Sequence, residues 1–116
     1  MKFSGVGYFK TGKNIHSLWA RVEANDGLLT LFKQIKAVLR EDGMRDLNRK
    51  FVPHVNLARL KRTSATEVSQ WLARNDSFRM PLMIVGSFEL FESYISKSAP
   101  IYTSIQKYPL VLEKLV

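Results

Sequence analysis

An α+β domain built on an antiparallel sheet with two helices, in the order ββαβαββ, is what this sequence predicts, and three observations carry the prediction. Two alternating runs near the N-terminus are joined by a glycine-containing turn. Two segments with helical spacing of apolar residues follow, separated by a strand that opens on a proline. Two apolar, aromatic-rich runs close the chain. The 116 residues, 46% of them hydrophobic, suffice for one compact core and are too few for two, so residues 1–116 read as a single domain.

Residues 2–9 and 15–23 are expected as a hairpin across Thr11-Gly12-Lys13-Asn14, because Leu18, Ala20 and Val22 alternate with Trp19, Arg21 and Glu23. Leu28, Leu31, Phe32, Ile35, Val38 and Leu39 then recur at three and four, with Asp26 before them and Gly43 after, which is the pattern of an amphipathic helix. Lys33, Lys36 and Arg40 fall on its other face as ordinary solvated charge. Pro53–Leu60 reads as a strand, with the proline at the first position where no ladder hydrogen bond is lost. Ser64 and Glu67 have the spacing of a capping box, and Val68, Trp71 and Leu72 supply the apolar stripe of a second helix ending near Asn75. Residues 81–92 and 101–110 read as two more strands, the first nearly continuously apolar and therefore central. Trp19, Phe32, Trp71, Phe88 and Phe91 are expected in the core rather than as platforms for stacked bases.

Charge narrows the choice of partner. Eighteen Lys and Arg stand against ten Asp and Glu, a formal net charge of +8, which favours nucleic acid, a nucleotide or another anionic surface. With no cysteine, disulfides, thiol catalysis and the usual structural zinc sites are excluded, and a reducing, cytoplasmic setting is the expectation. The N-terminal run is broken by Ser4, Gly5, Gly7 and Lys10, unlike a signal peptide, and Met80–Phe91 is far shorter than the roughly 20 residues of a spanning helix, so no membrane partner is expected.

Acid–base chemistry near neutral pH must begin with the two histidines. His16, beside Leu18 and Ala20 in a predicted strand, reads as structural. His54 stands two residues from Asn56, hence on the same face of a strand, with Arg59 nearby. An imidazole that moves a proton, an amide that holds an oxygen and a guanidinium that offsets charge together suit phosphoryl chemistry. On composition alone the pair also fits a hydrogen-bonded surface couple. Strict alternation puts Arg59 on the face opposite His54, so it reaches the site only past a bulge or strand end. Arg45, Arg49, Lys50, Lys61 and Arg62 flank the motif and could extend a basic path for an RNA strand, Lys61 and Arg62 foremost; paired surface charge explains them about as well. Tyr102 and Tyr108 remain candidate cleft residues.

The segment Pro53-His54-Val55-Asn56-Leu57-Ala58-Arg59 resembles the second His-x-Thr motif of the RNA 2',3'-cyclic phosphodiesterases, also called 2'-5' RNA ligases, of the two-histidine phosphoesterase superfamily; their usual form is Pro-His-x-Thr-Leu-Ala-Arg. Ser4-Gly5-Val6-Gly7-Tyr8-Phe9, Leu18-Trp19-Ala20-Arg21-Val22, Phe88-Glu89-Leu90-Phe91-Glu92-Ser93, Tyr102 and Tyr108-Pro109-Leu110 resemble the same family in the same order. The resemblance implies that the chain is one repeat, the C-terminal half, of a bilobal fold whose two repeats each give one motif to a central cleft. It further implies that one histidine activates water while the other protonates the leaving ribose oxygen, opening a 2',3'-cyclic phosphate without metal or other cofactor. Carried over residue by residue, His54 is the catalytic acid or base, and Asn56 and Arg59 bind phosphate.

Two departures stand out. No second His-x-Thr or His-x-Ser motif occurs, since His16 is followed by Ser17-Leu18, and Asn56 occupies the threonine's place. Three readings therefore stay open: a half-site of an RNA end-processing phosphoesterase, also acting on 2'-5' linkages; a non-catalytic RNA- or nucleotide-binding module; and a truncated, degenerate family member. A lone repeat exposes apolar surface and sheet edge, so a homodimer, or complementation by an N-terminal half, is expected.

Overall fold

The computed structural model describes residues 1–44 and 50–111. The chain divides into two compact units, Met1–Leu82 and Met83–Val116. The first holds a four-stranded sheet and both helices, the second a two-stranded sheet. Two helices with antiparallel sheets make the α+β class that the sequence predicts.

In the first unit β1 (Phe3–Thr11) and β2 (Asn14–Val22) form the expected hairpin. Thr11 pairs with Asn14 across a two-residue loop, and Gly12 there has φ +61, a left-handed conformation that glycine adopts without a Cβ clash. β3 (His54–Arg59) pairs with the free side of β2, and the two-residue β4 (Arg79–Met80) with β1, giving the order β3-β2-β1-β4. Val6, Leu18, Ala20 and Val22 alternate into the core, as the period of two requires.

Trp19 is buried too, 6% exposed, although alternation turns it to the opposite face. Gly7 is its register partner, and a Cβ at Gly7 would stand 2.2 Å from Cη2 of the indole. The missing side chain at position 7 is thus the space that the Trp19 ring fills. Among the described residues the Trp19 indole N–H is the one buried side-chain polar group with no hydrogen-bond partner.

Helix α1 (Asp26–Glu41) starts two residues before Leu28, the first of its apolar pattern. Asn25 is the cap, its Oδ1 accepting from the Leu28 N–H at 2.8 Å. The apolar stripe is present, but none of its residues is buried: Phe32 stacks on Phe51 at 4.1 Å between centroids, while Ile35, Val38 and Leu39 are exposed. Helix α2 (Ala65–Asn75) follows the sequence closely, with Ser64 Oγ accepting from the Glu67 N–H and Val68 buried to 2% exposure.

The second unit is the hairpin of β5 (Ser87–Ile95) and β6 (Pro100–Pro109). Here the expected central strand over 81–92 is corrected. Pro81 has no N–H to give to a ladder, so β4 stops at Met80, and residues 81–86 lie in no strand until pairing resumes at Ser87 in a separate sheet. A two-stranded sheet has no layer of its own to bury against, and Phe91, expected in the core, is 50% exposed while Phe88 and Tyr108 stack on one another at 4.9 Å. Among the described residues no helix is long and apolar enough to cross a membrane.

Candidate active site

The site grows from one irregularity in the β2–β3 ladder. Arg21 pairs with His54, Ala20 with Val55 and Trp19 with Asn56, but Leu18 pairs with Ala58, so Leu57 is an extra residue on β3. A bulge of this kind resets the alternation by one. Beyond it Arg59 pairs with Ser17 and comes to the same face as Asn56 and His54, where strict alternation would have turned it away. The route past a bulge that the sequence required for Arg59 is present.

His54 sits at the start of that row. Its Nδ1 lies 2.6 Å from the Val52 carbonyl oxygen, which is an acceptor only, so Nδ1 carries a proton and donates it. In the neutral ring this leaves the lone pair on Nε2, the atom free to take up or deliver a proton. The ring is wedged by aromatic neighbours, with Phe9 edge-on at 4.9 Å and Trp19 at 5.7 Å between centroids. Phe9 and Trp19 are themselves 5.1 Å apart. The buried Trp19 thus supports an exposed imidazole, and packing rather than solvent fixes the ring's direction.

The remaining candidates distribute unevenly. Asn56 is exposed one register step from His54, and no described hydrogen bond commits its amide. Lys61 and Arg62 are exposed in the bend that follows β3, Arg62 with φ 54, a left-handed backbone uncommon for a side chain of its size. No described hydrogen bond or ion pair joins either to the His54 row. Arg45 and Arg49 lie outside the described residues. Tyr102 and Tyr108 belong to the second unit, Tyr108 stacked on Phe88.

Several contributors were not foreseen. The Val52 carbonyl, Phe9 and Gly7 act through the backbone or through packing, and a motif of side chains does not reveal them. Both histidines line one cavity of about 920 Å3, together with Phe32 of α1 and Phe51. His16 is the extra residue at a second bulge, where Phe9 pairs with Ser17 and Lys10 with Ile15, and its Nδ1 lies 3.2 Å from Ser17 Oγ. Lys36 and Arg40 also line the cavity instead of standing on a purely solvated face, and Lys36 lies 5.9 Å from the Phe32 ring centroid. Among the described residues no cluster of three or more His, Cys, Asp or Glu side chains could hold a metal ion.

A sheet face that sets an imidazole, an amide and a guanidinium in one row, on a basic lobe, is suited to phosphate esters. Comparison with known proteins gives the family: the chain belongs to the LigT-like phosphoesterases, whose model, "LigT like Phosphoesterase", matches residues 20–102. Over 100 residues the chain is 29% identical to the RNA 2',3'-cyclic phosphodiesterase of Thermotoga maritima, covering 84% of this chain and 51% of that protein. A crystal structure of a protein from Thermus thermophilus superposes with a TM-score of 0.72 at 26% identity, over 94% of this chain and 58% of that one. The chain therefore spans about half the length of the relatives it matches.

Proposed function

We propose that the chain is the C-terminal half of an RNA end-processing phosphoesterase that opens 2',3'-cyclic phosphate termini. In this reading water attacks phosphorus while a base takes its proton, one P–O bond to the ribose breaks, and an acid protonates the departing ribose oxygen. His54 serves as one of these two groups through Nε2. Asn56 and Arg59 hold the non-bridging phosphate oxygens, and Lys61 and Arg62 guide the RNA strand. The reading extends to 2'-5' RNA linkages, whose phosphodiester involves the same ribose 2'-oxygen. What supports it is the bulge at Leu57, which collects His54, Asn56 and Arg59 on one exposed face while Val52 leaves Nε2 as the reacting nitrogen. The experiment is hydrolysis of adenosine 2',3'-cyclic phosphate by the chain and by its His54→Phe variant.

One histidine cannot be base and acid in the same step, so the proposal needs a second half-site, from an N-terminal repeat or from a second copy. β3 is an edge strand exposed along its length, and among the described residues nothing pairs with its outer ladder side, where another chain could add. A homodimer is expected, and sedimentation at micromolar concentration checks it: a clean monomer refutes self-complementation.

Asn56 favours a second reading, a non-catalytic module that binds phosphorylated RNA ends. Its amide carries a fixed acceptor as well as donors, and a carbonyl turned inward repels an anion, whereas a threonine hydroxyl rotates to donate. Asn56→Thr is expected to strengthen binding of adenosine 2'-phosphate by at most about 1.5–3 kcal/mol, one hydrogen bond to a charged group. Calorimetry on the folded variant decides: affinity equal to or below the parent's removes position 56 from the phosphate contacts.

A further inference from the structure

Arg21 belongs to the same face as His54 and has no place in the chemistry proposed above. It is the register partner of His54 on β2, exposed, with its guanidinium carbon 5.9 Å from the centroid of the Trp19 ring that also supports His54. Stacking on a buried indole holds the guanidinium over the sheet and lowers the entropy it loses on meeting an anion. Among the described residues no carboxylate pairs with it. The strands around it carry Lys10, Arg21 and Arg59 and no Asp or Glu, the nearest carboxylate in sequence being Glu23, one residue past the end of β2. The charge of the whole chain is concentrated there as well, because residues 1–82 carry 15 Lys and Arg against 7 Asp and Glu, while residues 83–116 carry three of each.

Arg21 lies beside the His54 end of the row and Arg59 forms its other end. Arg59 pairs with Ser17, so the two arginines lie four residues of β2 apart, about 13 Å at roughly 3.3 Å per residue. A single terminal phosphate held by Asn56 and Arg59 leaves Arg21 uncommitted, directly across the ladder from His54 on β2. The next anionic group that an RNA end offers is the phosphodiester joining the terminal nucleotide to its neighbour.

We infer that Arg21 is a second phosphate contact, selecting oligonucleotide ends over mononucleotides by holding the phosphodiester one step in from the terminus. This rests on the phosphoesterase reading and adds to it a substrate class and the residue that sets it.

Binding separates the two claims without requiring turnover. Adenosine 2'-phosphate carries the terminal phosphate alone, and the dinucleotide ApA ending in a 2'-phosphate adds one internal phosphodiester. The parent is expected to bind the dinucleotide roughly ten-fold more tightly, as one charge-assisted contact implies. Arg21→Gln abolishes that advantage and leaves the mononucleotide affinity unchanged. The slope of log affinity against log salt for the dinucleotide falls by about 0.7, the value for one phosphate contact on a single strand. Arg21→Lys retains the salt slope. A purely structural role on Trp19 would instead weaken both ligands equally, and that result overturns the inference, as does a dinucleotide advantage that survives Arg21→Gln or is absent from the parent. Arg59→Gln reports on the underlying reading: if it leaves mononucleotide affinity untouched, the phosphate site lies elsewhere, and failure of both ligands to bind the parent removes the reading and the inference together.

Discussion

His54→Ala is expected to lower hydrolysis of a nucleoside 2',3'-cyclic phosphate by roughly 10²- to 10⁴-fold, the usual contribution of one positioned proton-transfer group. Two effects mix in that variant, since the imidazole also fills the space beside Phe9 and Trp19. His54→Phe separates them: it keeps an aromatic ring against those neighbours and removes the ring nitrogens, and with them both proton transfer and the bond to the Val52 carbonyl. Equal losses in the two variants mean that proton transfer carries the effect. Recovery of most activity in His54→Phe assigns His54 to packing. Because one histidine must be neutral and its counterpart charged at the same moment, the parent's rate is expected to rise and then fall with pH. A rate that rises or falls in one direction only contradicts a paired acid and base.

Gly7→Val is expected to destabilise the first unit by about 1–3 kcal/mol or more, the range for overpacking a filled interior. The first atom of any side chain at position 7 overlaps the Trp19 ring, whose Cη2, Cζ2 and Cζ3 stand at 2.2, 2.5 and 2.5 Å from that point. The indole is rigid and buried, so it must tilt or the hairpin must part. A second prediction comes from the coupling: Trp19→Leu also destabilises, but Gly7→Val in that background costs much less than it does alone, because the two side chains contend for one space. Thermal unfolding of the four proteins provides the cycle. Additive costs would show that the glycine is required for some reason other than the indole.

Much of the fold was legible because its signals are local. Alternation in 15–23, the Gly12 turn, the cap at Ser64 and the spacing of Val68, Trp71 and Leu72 each depend on residues a few positions apart, and each element formed near its expected bounds. The failures concern pairing between distant segments. Residues 81–92 look like a buried strand because they are apolar, yet Pro81 divides them between two sheets. The α1 stripe has the right period, but periodicity does not say how tightly anything covers it, and Ile35, Val38 and Leu39 stay exposed.

The site divides the same way. That His54 and Asn56 share a face was readable from two-residue spacing, and the resemblance of their motif proposed a chemistry that spacing alone left open. That Arg59 shares their face depends on which residue of β3 is left unpaired against β2, a property of the ladder that no residue type near Leu57 announces. Arg21 could be placed on the Trp19 face by alternation, but its position beside His54 required knowing that β3 lies against β2. The Val52 carbonyl that sets the protonated nitrogen of His54 is backbone, and it carries no signature in sequence.

The most direct measurement of the proposed site is a nitrogen and proton NMR titration of the isotopically labelled chain with adenosine 2'-phosphate, read at the histidine ring nitrogens and the backbone amides. A phosphate seated on the β3 face shifts His54 Nε2 together with the amides of Asn56 and Arg59, while the His54 Nδ1 proton remains bonded to the Val52 carbonyl. Saturable shifts gathered elsewhere in the chain, with His54 Nε2 and the β3 amides unmoved, would contradict the site proposed for this chain.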